Sequence, residues 1–333
     1  MRGITIVSTG SYLPEDCIPN EAFVKYVDTS DEWIRTRTGI QSRHIANGEP
    51  TWYMGAQAGK KALESGGVAV EDVDLILVSC CTPDYMTPSM ACMIQRELGA
   101  VNAMCIDLNS ACSGFVHGLD TARRYLAADE DVKTVLLVST ERLSQMVDFT
   151  DRSVCVLLGD GAGACVVRRK EDALYAFTGG ADGVSGGALN VKYPRHESPF
   201  GDPEKRKAYF EFPEVREKFL YMDGREVYRF STRVFPEMVK TCCEKLGISV
   251  EQLDHVVPHQ ANYRIVDTGL KNLPGLDREK VFLNLEKYGN TGSASIAIAL
   301  DEMNGKGMLK RGDKVAVMGF GGGLTYAGIV FEW

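Results

Sequence analysis

The sequence predicts a layered α/β protein made of two similar halves, and three observations carry that prediction. Strand-like runs rich in Val, Ile and Leu alternate with longer stretches of helical spacing, the pattern of helices packed on sheets. The order of these pieces occurs twice along the chain. The 333 residues are 44% hydrophobic and 25% charged with 34 Gly, which supplies a full core and is far from the profile of a disordered or fibrous chain.

The repeat is read piece by piece. "VEDVDLILVSCCTPD" (70–84) is echoed by "VEQLDHVVPHQAN" (250–262): an acidic lead-in, an Asp, an apolar strand and a polar turn. "AMCIDLNSACSGFVHGLDTARRYLA" is echoed by "VFLNLEKYGNTGSASIAIALDEMNG" as strand, Gly/Ser-rich turn and helix. The strands "TVLLVST" and "KVAVMGF" follow in turn, and "AGACVVRR" and "YAGIVFEW" close the two copies. The expected division is residues 1–170 and 171–333. Halves packed about a pseudo-twofold axis bring matching turns face to face across a crevice, where ligands favour α/β sheets.

A net charge of −8 and a pI near 5.3 argue against nucleic acid as the main ligand, since phosphate binding needs a clustered basic surface. The opening "MRGITIVSTGSYLP" enters a β-branched run at once, and nowhere do 18 apolar residues run together, so a cytoplasmic protein away from the membrane is expected. The ten cysteines scatter through apolar runs and read as mostly buried thiols. The vicinal pairs Cys80/Cys81 and Cys242/Cys243 lack C-x-x-C spacing, which argues against redox chemistry.

The crevice gathers the chemistry-bearing residues. Cys112 in "DLNSACSGF" falls on the first turn of a helix, where free amides and the helix dipole stabilise a thiolate. From the first half alone a buried structural cysteine reads equally well. The second half places His259 of "PHQAN", Asn290 of "YGNTGSAS" and the glycine turn "GFGGGLT" at matching positions. Asn290 also suits a turn or a helix cap. Consecutive glycines let a backbone amide approach a ligand and form an oxyanion hole with the N–H of Cys112. His255-x3-His259 is not a metal pair, because Pro258 and the strand context defeat helical i, i+4 geometry. "GVSGG" fits G-x-S-x-G without a following helix, and "GDGAGA" lacks a P-loop lysine, so both are assigned to structure.

Together these residues resemble the β-ketoacyl-acyl carrier protein synthase III enzymes, initiating condensing enzymes of the thiolase superfamily. The likeness spans nearly the whole chain: "DTSDEWIRTRTGIQSRHI", "DLNSACSGF", "DFTDRSVCVLLGDGAGA", "VPHQANYRI", "KYGNTGSASI" and "GFGGGLTYAG" occur in the family order. It implies an α/β thiolase-like duplicated five-layer α-β-α-β-α fold, a homodimer, and Cys112, His259 and Asn290 as the catalytic set. It implies a decarboxylative Claisen condensation: an acyl-CoA acylates Cys112, and malonyl-acyl carrier protein loses CO₂ and attacks the thioester, giving 3-oxoacyl-carrier protein and initiating fatty acid biosynthesis. No metal, flavin or nicotinamide is implied, because decarboxylation supplies the carbanion.

The resemblance further assigns the backbone of Cys112 and Gly322 to the oxyanion hole. Trp33 and Arg152 are assigned to a sandwich around the adenine of CoA, with Thr29 and Arg37 nearby. Gly224 and Asn262 are assigned to the pantetheine arm, and Arg229, Gln260, Arg264 and Lys271 to the docking patch for acidic carrier protein. Thr87 stands where some relatives carry Phe, at a position reaching across the dimer to the end of the acyl pocket, which predicts room for a longer or branched starter. The charged stretch Asn190–Phe219 is longer than in the shortest relatives and reads as solvated surface. Two alternatives stay open: a specialised condensing enzyme or acyl transferase of secondary metabolism, and a non-catalytic scaffold that binds acyl carrier protein.

Overall fold

The computed structural model describes residues 3–193, 199–200, 212, 215–216 and 218–333. Most of the charged stretch 190–219 lies outside these residues, so its reading as solvated surface is not addressed.

The first sheet contains β1 (Gly3–Tyr12), β2 (Leu75–Ser79), β3 (Met104–Leu108), β4 (Thr134–Arg142) and β5 (Asp160–Lys170), in the order β1-β5-β4-β2-β3. The second contains β6 (Tyr175–Ala181), β7 (His255–Pro258), β8 (Lys314–Gly321) and β9 (Thr325–Glu332), in the order β7-β8-β9-β6. Read from the first strand of each, β1-β5-β4-β2 and β6-β9-β8-β7 share order and sense: two antiparallel pairings, then one parallel.

The second copy of β3 is where the sequence reading overreached. "VFLNL" forms a single parallel bridge, Val256 to Val281, instead of a strand. Hydrogen bonds pull the chain away just beyond it: Asn284 gives its backbone N–H to Gln260 and its side-chain amide to Glu302.

Strand alternation explains the layers. In β2, Leu75 and Leu77 face one core while Ile76 and Val78 face another; in β4, Val135 and Leu137 oppose Leu136 and Val138. Both faces are apolar, so the sheet is covered on both sides. Helices α2 (Thr51–Gly66) and α3 (Met90–Leu98) cover its outer face. Helix α4 (Gly114–Ala128) and helix α7 (Ala294–Gly305) fill the space between the two sheets. Helix α5 (Gly224–Leu246) and helix α6 (Tyr263–Lys271) cover the far side of the second sheet. The result is five layers, α-β-α-β-α. Helix α7 is buried along "ASIAIAL", as expected of a helix sandwiched between sheets.

Helix α1 (Asp31–Thr38), capped by the Ser30 side chain, belongs to a satellite cluster with Phe23, Val147 and Leu158 at one end of the layers. All ten cysteines are free thiols. Among the described residues no group of three or more His, Cys, Asp or Glu is arranged to hold a metal ion, and no helix is long and apolar enough to cross a membrane.

Candidate active site

Cys112 leaves the end of β3 through a sharp turn. Ala111 adopts φ +44°, the left-handed region that non-glycine residues rarely enter. The Asn109 side chain receives the Ala111 N–H at 3.1 Å, and Ser110 O receives both the N–H and the hydroxyl of Ser113. A short 3₁₀ turn, Ala111–Ser113, then carries the chain into α4. Strand β8 passes very close: a Cβ on Gly319 would lie 2.7 Å from Ser113 Cα, and one on Gly321 would lie 2.6 Å from Cys112 Cβ. Glycine there is a requirement of packing. The backbone amides of Gly322 and of Cys112 itself both act to favour the thiolate.

The expectation of a thiolate at rest is corrected by the structure. Burial, followed by the charge of Glu141, pushes the Cys112 thiol up to about 12, and the two amides only partly offset this. Cys112 does not sit on the α-helix proper, and desolvation outweighs what a helix start provides.

His259 follows β7 and is buried, its ring edge-on to Phe320 at 5.6 Å. Its backbone is fixed by an N–H bond to Met318 O at 2.7 Å. Burial alone pushes the imidazole down to about 3, so it is neutral. Nδ1 lies 2.7 Å from Ser295 Oγ on α7. Ser295 Oγ also accepts the Gln260 N–H at 3.3 Å; with its own proton given to Nδ1, the ring proton lies on Nε2, the tautomer that offers a donor to the cavity.

Gln260 requires a correction: it is buried, its side-chain amide bonded to Pro258 O at 2.7 Å and its carbonyl oxygen to the Asn284 N–H at 2.9 Å. A side chain consumed by internal bonds cannot dock a partner; it braces the His259 loop. Asn290 lies in the turn before α7, its main chain paired with Leu157 and Gly159 at 2.9 Å. Its side-chain oxygen accepts the Gly292 N–H at 2.9 Å, leaving the NH₂ end as the group available to the cavity.

Cys112, His259, Asn290 and Gly322 line one cavity of about 1300 Å³. Its apolar lining includes Leu143, Leu189, Leu220, Met222 and Phe320, with Cys81 beside them. At the mouth, Arg37 and Arg152 each stack on the Trp33 ring at 4.5 Å. Arg152 also donates to Asp28 O at 2.6 Å. The slot expected between Trp33 and Arg152 is thus closed, and an aromatic ring enters only if Arg152 swings away. Thr29 Oγ1 is buried and has no hydrogen-bond partner among the described residues.

Asn262 caps α6 and Gly224 opens α5, both on the cavity wall. A basic groove adjoins them, lined by Arg37, Arg225, Arg229 and Arg264. Lys271, at the far end of α6, is paired with Asp267 at 3.0 Å and lies outside that groove. Thr87 is exposed, next to Tyr85 and Met86 at the cavity edge.

The family model described as 3-oxoacyl-[acyl-carrier-protein (ACP)] synthase III matches residues 106–183, and that for its C-terminal part matches residues 243–333. The β-ketoacyl-[acyl-carrier-protein] synthase III of Clostridium acetobutylicum is 45% identical over 334 aligned residues, covering 100% of this chain and 99% of the relative. This chain belongs to the β-ketoacyl-[acyl-carrier-protein] synthase III family. The solved 3-oxoacyl-[acyl-carrier-protein] synthase III of Aquifex aeolicus superposes with a TM-score of 0.89 at 39% identity, covering 99% of this chain and 100% of that one. The priming β-ketosynthase of a polyketide biosynthetic pathway gives a TM-score of 0.89 at 36% identity, covering 99% and 96%. The protein is accordingly a condensing acyltransferase on the thiolase-like fold.

Sequence reasoning missed Ser295, Glu141 and Arg225. Ser295 stands inside the quoted "YGNTGSAS", and Glu141 is the one acid in the strand "TVLLVSTER", a signal that was readable.

Proposed function

We propose that the protein joins an acyl-CoA starter to malonyl-acyl carrier protein by decarboxylative Claisen condensation, initiating fatty acid synthesis through an acyl-Cys112 intermediate. One observation carries this reading: Cys112, His259, Asn290 and Gly322 line one cavity.

The Cys112 sulfur attacks the acyl carbonyl, and the N–H groups of Cys112 and Gly322 receive the charge that develops on its oxygen. The C–S bond to CoA breaks, and the thiol proton leaves on CoA. The malonyl thioester then enters with its carbonyl oxygen toward His259 Nε2–H and the Asn290 NH₂. Both are neutral donors in a buried site, where they stabilise the enolate formed as the carboxylate leaves as CO₂. The new carbanion attacks the acyl-Cys112 carbonyl, a C–C bond forms, and the Cys112–acyl bond breaks. Cys112 regains a proton from solvent, favoured by its high proton affinity. This sequence requires CoA and carrier-protein thioesters as substrates and no metal or redox cofactor.

Trp33, Arg37, Arg152 and Thr29 are proposed to take the nucleotide end of CoA, stacking and cation–π attraction explaining the residue types. Gly224 and Asn262 flank the pantetheine arm. Arg229, Arg264 and Lys271, now with Arg225, offer local positive charge to an acidic carrier protein. The free edge of β3, with Met104 and Met86 exposed, supports a homodimer that pairs this edge with a second copy and sets Thr87 against the partner's pocket. The reading places the enzyme in the cytoplasm.

The test is a panel of acetyl-, branched and longer acyl-CoA starters with malonyl-acyl carrier protein, following CO₂ and 3-oxoacyl product by mass spectrometry. Product formation is expected, with branched or longer starters accepted. No CO₂ with any starter would favour a carrier-binding scaffold, and a wide preference for acetyl-CoA would overturn the inference from Thr87. The likeness to a polyketide priming enzyme supports one second reading, a specialised starter, which the same panel reveals.

A further inference from the structure

Under the cavity lies a carboxylate that the mechanism above leaves unused. Glu141 is the next-to-last residue of β4 and is fully buried. Its Oε1 accepts from Ser293 Oγ at 2.7 Å, and its Oε2 accepts from Thr82 Oγ1 at 2.7 Å. The Cys81 N–H reaches both oxygens at 3.2 and 3.1 Å, and the Cys81 thiol reaches Oε2 at 3.3 Å. Every one of these partners has a proton to donate, and none is Lys, Arg or His. Burial pushes the Glu141 carboxyl up, and these donors act against that in favour of the ionised form; the pocket holds the group by hydrogen bonds rather than by a counter-charge.

The partners come from both halves of the fold. Cys81 and Thr82 follow β2, whereas Ser293 lies three residues beyond Asn290 in the turn that opens α7. Gly292, between them, packs directly on the acid: a Cβ there would lie 3.1 Å from Glu141 Cγ. Glu141 is thus the pin that ties the Asn290 turn to the first-half loop lining the cavity beside Cys112.

We propose that Glu141 is a positioning residue for condensation: as a buried anion it fixes the Asn290 turn against the nucleophile's half of the site and places a fixed negative charge near the Cys112 thiol. The titratable groups around it are the thiols of Cys80, Cys81 and Cys112, each of which its charge disfavours as thiolate. Arg142, next along β4, acts on Asp160 instead. The positioning role rests on the assignment of Asn290 above; the charge role does not.

Two variants separate the roles. Glu141→Gln removes the charge and turns an NH₂ toward a set of donors, whereas Glu141→Asp keeps the charge but withdraws it by one methylene. The pH dependence of Cys112 alkylation by iodoacetamide, read by mass spectrometry without substrate, should shift to lower pH in Glu141→Gln and stay with the wild type in Glu141→Asp. A merely structural residue would not move that profile in this sense. CO₂ release from malonyl-acyl carrier protein should fall about 10- to 100-fold in both variants, as expected for a lost support behind a reacting group. Acylation of Cys112 by acyl-CoA should persist. An unmoved alkylation profile in Glu141→Gln overturns the charge role, and wild-type CO₂ release in both variants overturns the positioning role. If the wild type itself releases no CO₂, the proposed reaction fails while the alkylation arm still decides the charge role; if Glu141→Gln does not fold, an alkylation profile in Glu141→Asp that departs from the wild type overturns it.

Discussion

Burial drives Cys112 and His259 toward their neutral forms from opposite directions, the thiol up to about 12 and the imidazole down to about 3. The consequence for Cys112 is measurable: without substrate, its alkylation rate should climb about tenfold per pH unit from pH 7 to 10 with no plateau, because the thiolate fraction stays small throughout. A plateau near neutral pH would show a thiolate at rest. For His259 the decisive neighbour is Ser295. Ser295→Ala removes the hydroxyl that holds the ring proton on Nε2, and CO₂ release should drop by about 10- to 100-fold while Cys112 acylation is largely kept. Separate assays of the two half-reactions check this, and equal losses in both would refute the tautomer assignment. Cys112, His259 and Asn290, which line one cavity, could be singled out in the sequence because each stands in a small-residue or polar turn. The roles of Glu141 and Ser295 could not be, because they are defined by hydrogen bonds spanning 152 and 36 residues.

At the scale of elements, apolar β-branched runs alternating with stretches of helical spacing were enough to read β2, β4, β7 and β8 as strands packed against helices. The same reading failed at "VFLNL", where Asn284 donates its backbone N–H to Gln260 and its side-chain amide to Glu302, and the pairing ends after one bridge. It also failed to separate the 3₁₀ turn at Cys112 from α4, a difference that governs how much the helix helps the thiol. Close approach between layers depends on small residues that no periodicity reveals. A Cβ on Gly163 of β5 would meet Ala297 Cβ at 2.6 Å and Ile298 N at 2.7 Å on α7. Gly163→Ala should therefore destabilise the fold by about 1–3 kcal/mol, the usual cost of overpacking a dense core. A denaturant midpoint equal to that of the wild type would contradict the packing described.

For the whole molecule, the duplication was visible as a repeated order of pieces, and the two sheets share strand order and sense. What the chain does with its free β3 edge was reached only through the resemblance, since an unpaired edge states that something can add to it and not what. The expected solution mass is twice the 36.6 kDa of one chain, read by sedimentation at micromolar concentration. A single-chain mass at that concentration would leave Thr87 facing solvent and remove its part in starter choice. Under the proposed function, the basic groove of Arg37, Arg225, Arg229 and Arg264 is the local surface that lets an acidic chain attract an acidic carrier protein.

The central claim is that Cys112 carries the acyl group between the two half-reactions. Incubation with acyl-CoA alone, followed by intact-protein and peptide mass spectrometry, measures it directly. The account predicts one acyl adduct per chain, located on the peptide containing Cys112, discharged on adding malonyl-acyl carrier protein, and absent from Cys112→Ala. An adduct of the same stoichiometry on the Cys112→Ala protein, or product formation by that variant at the wild-type rate, would contradict it.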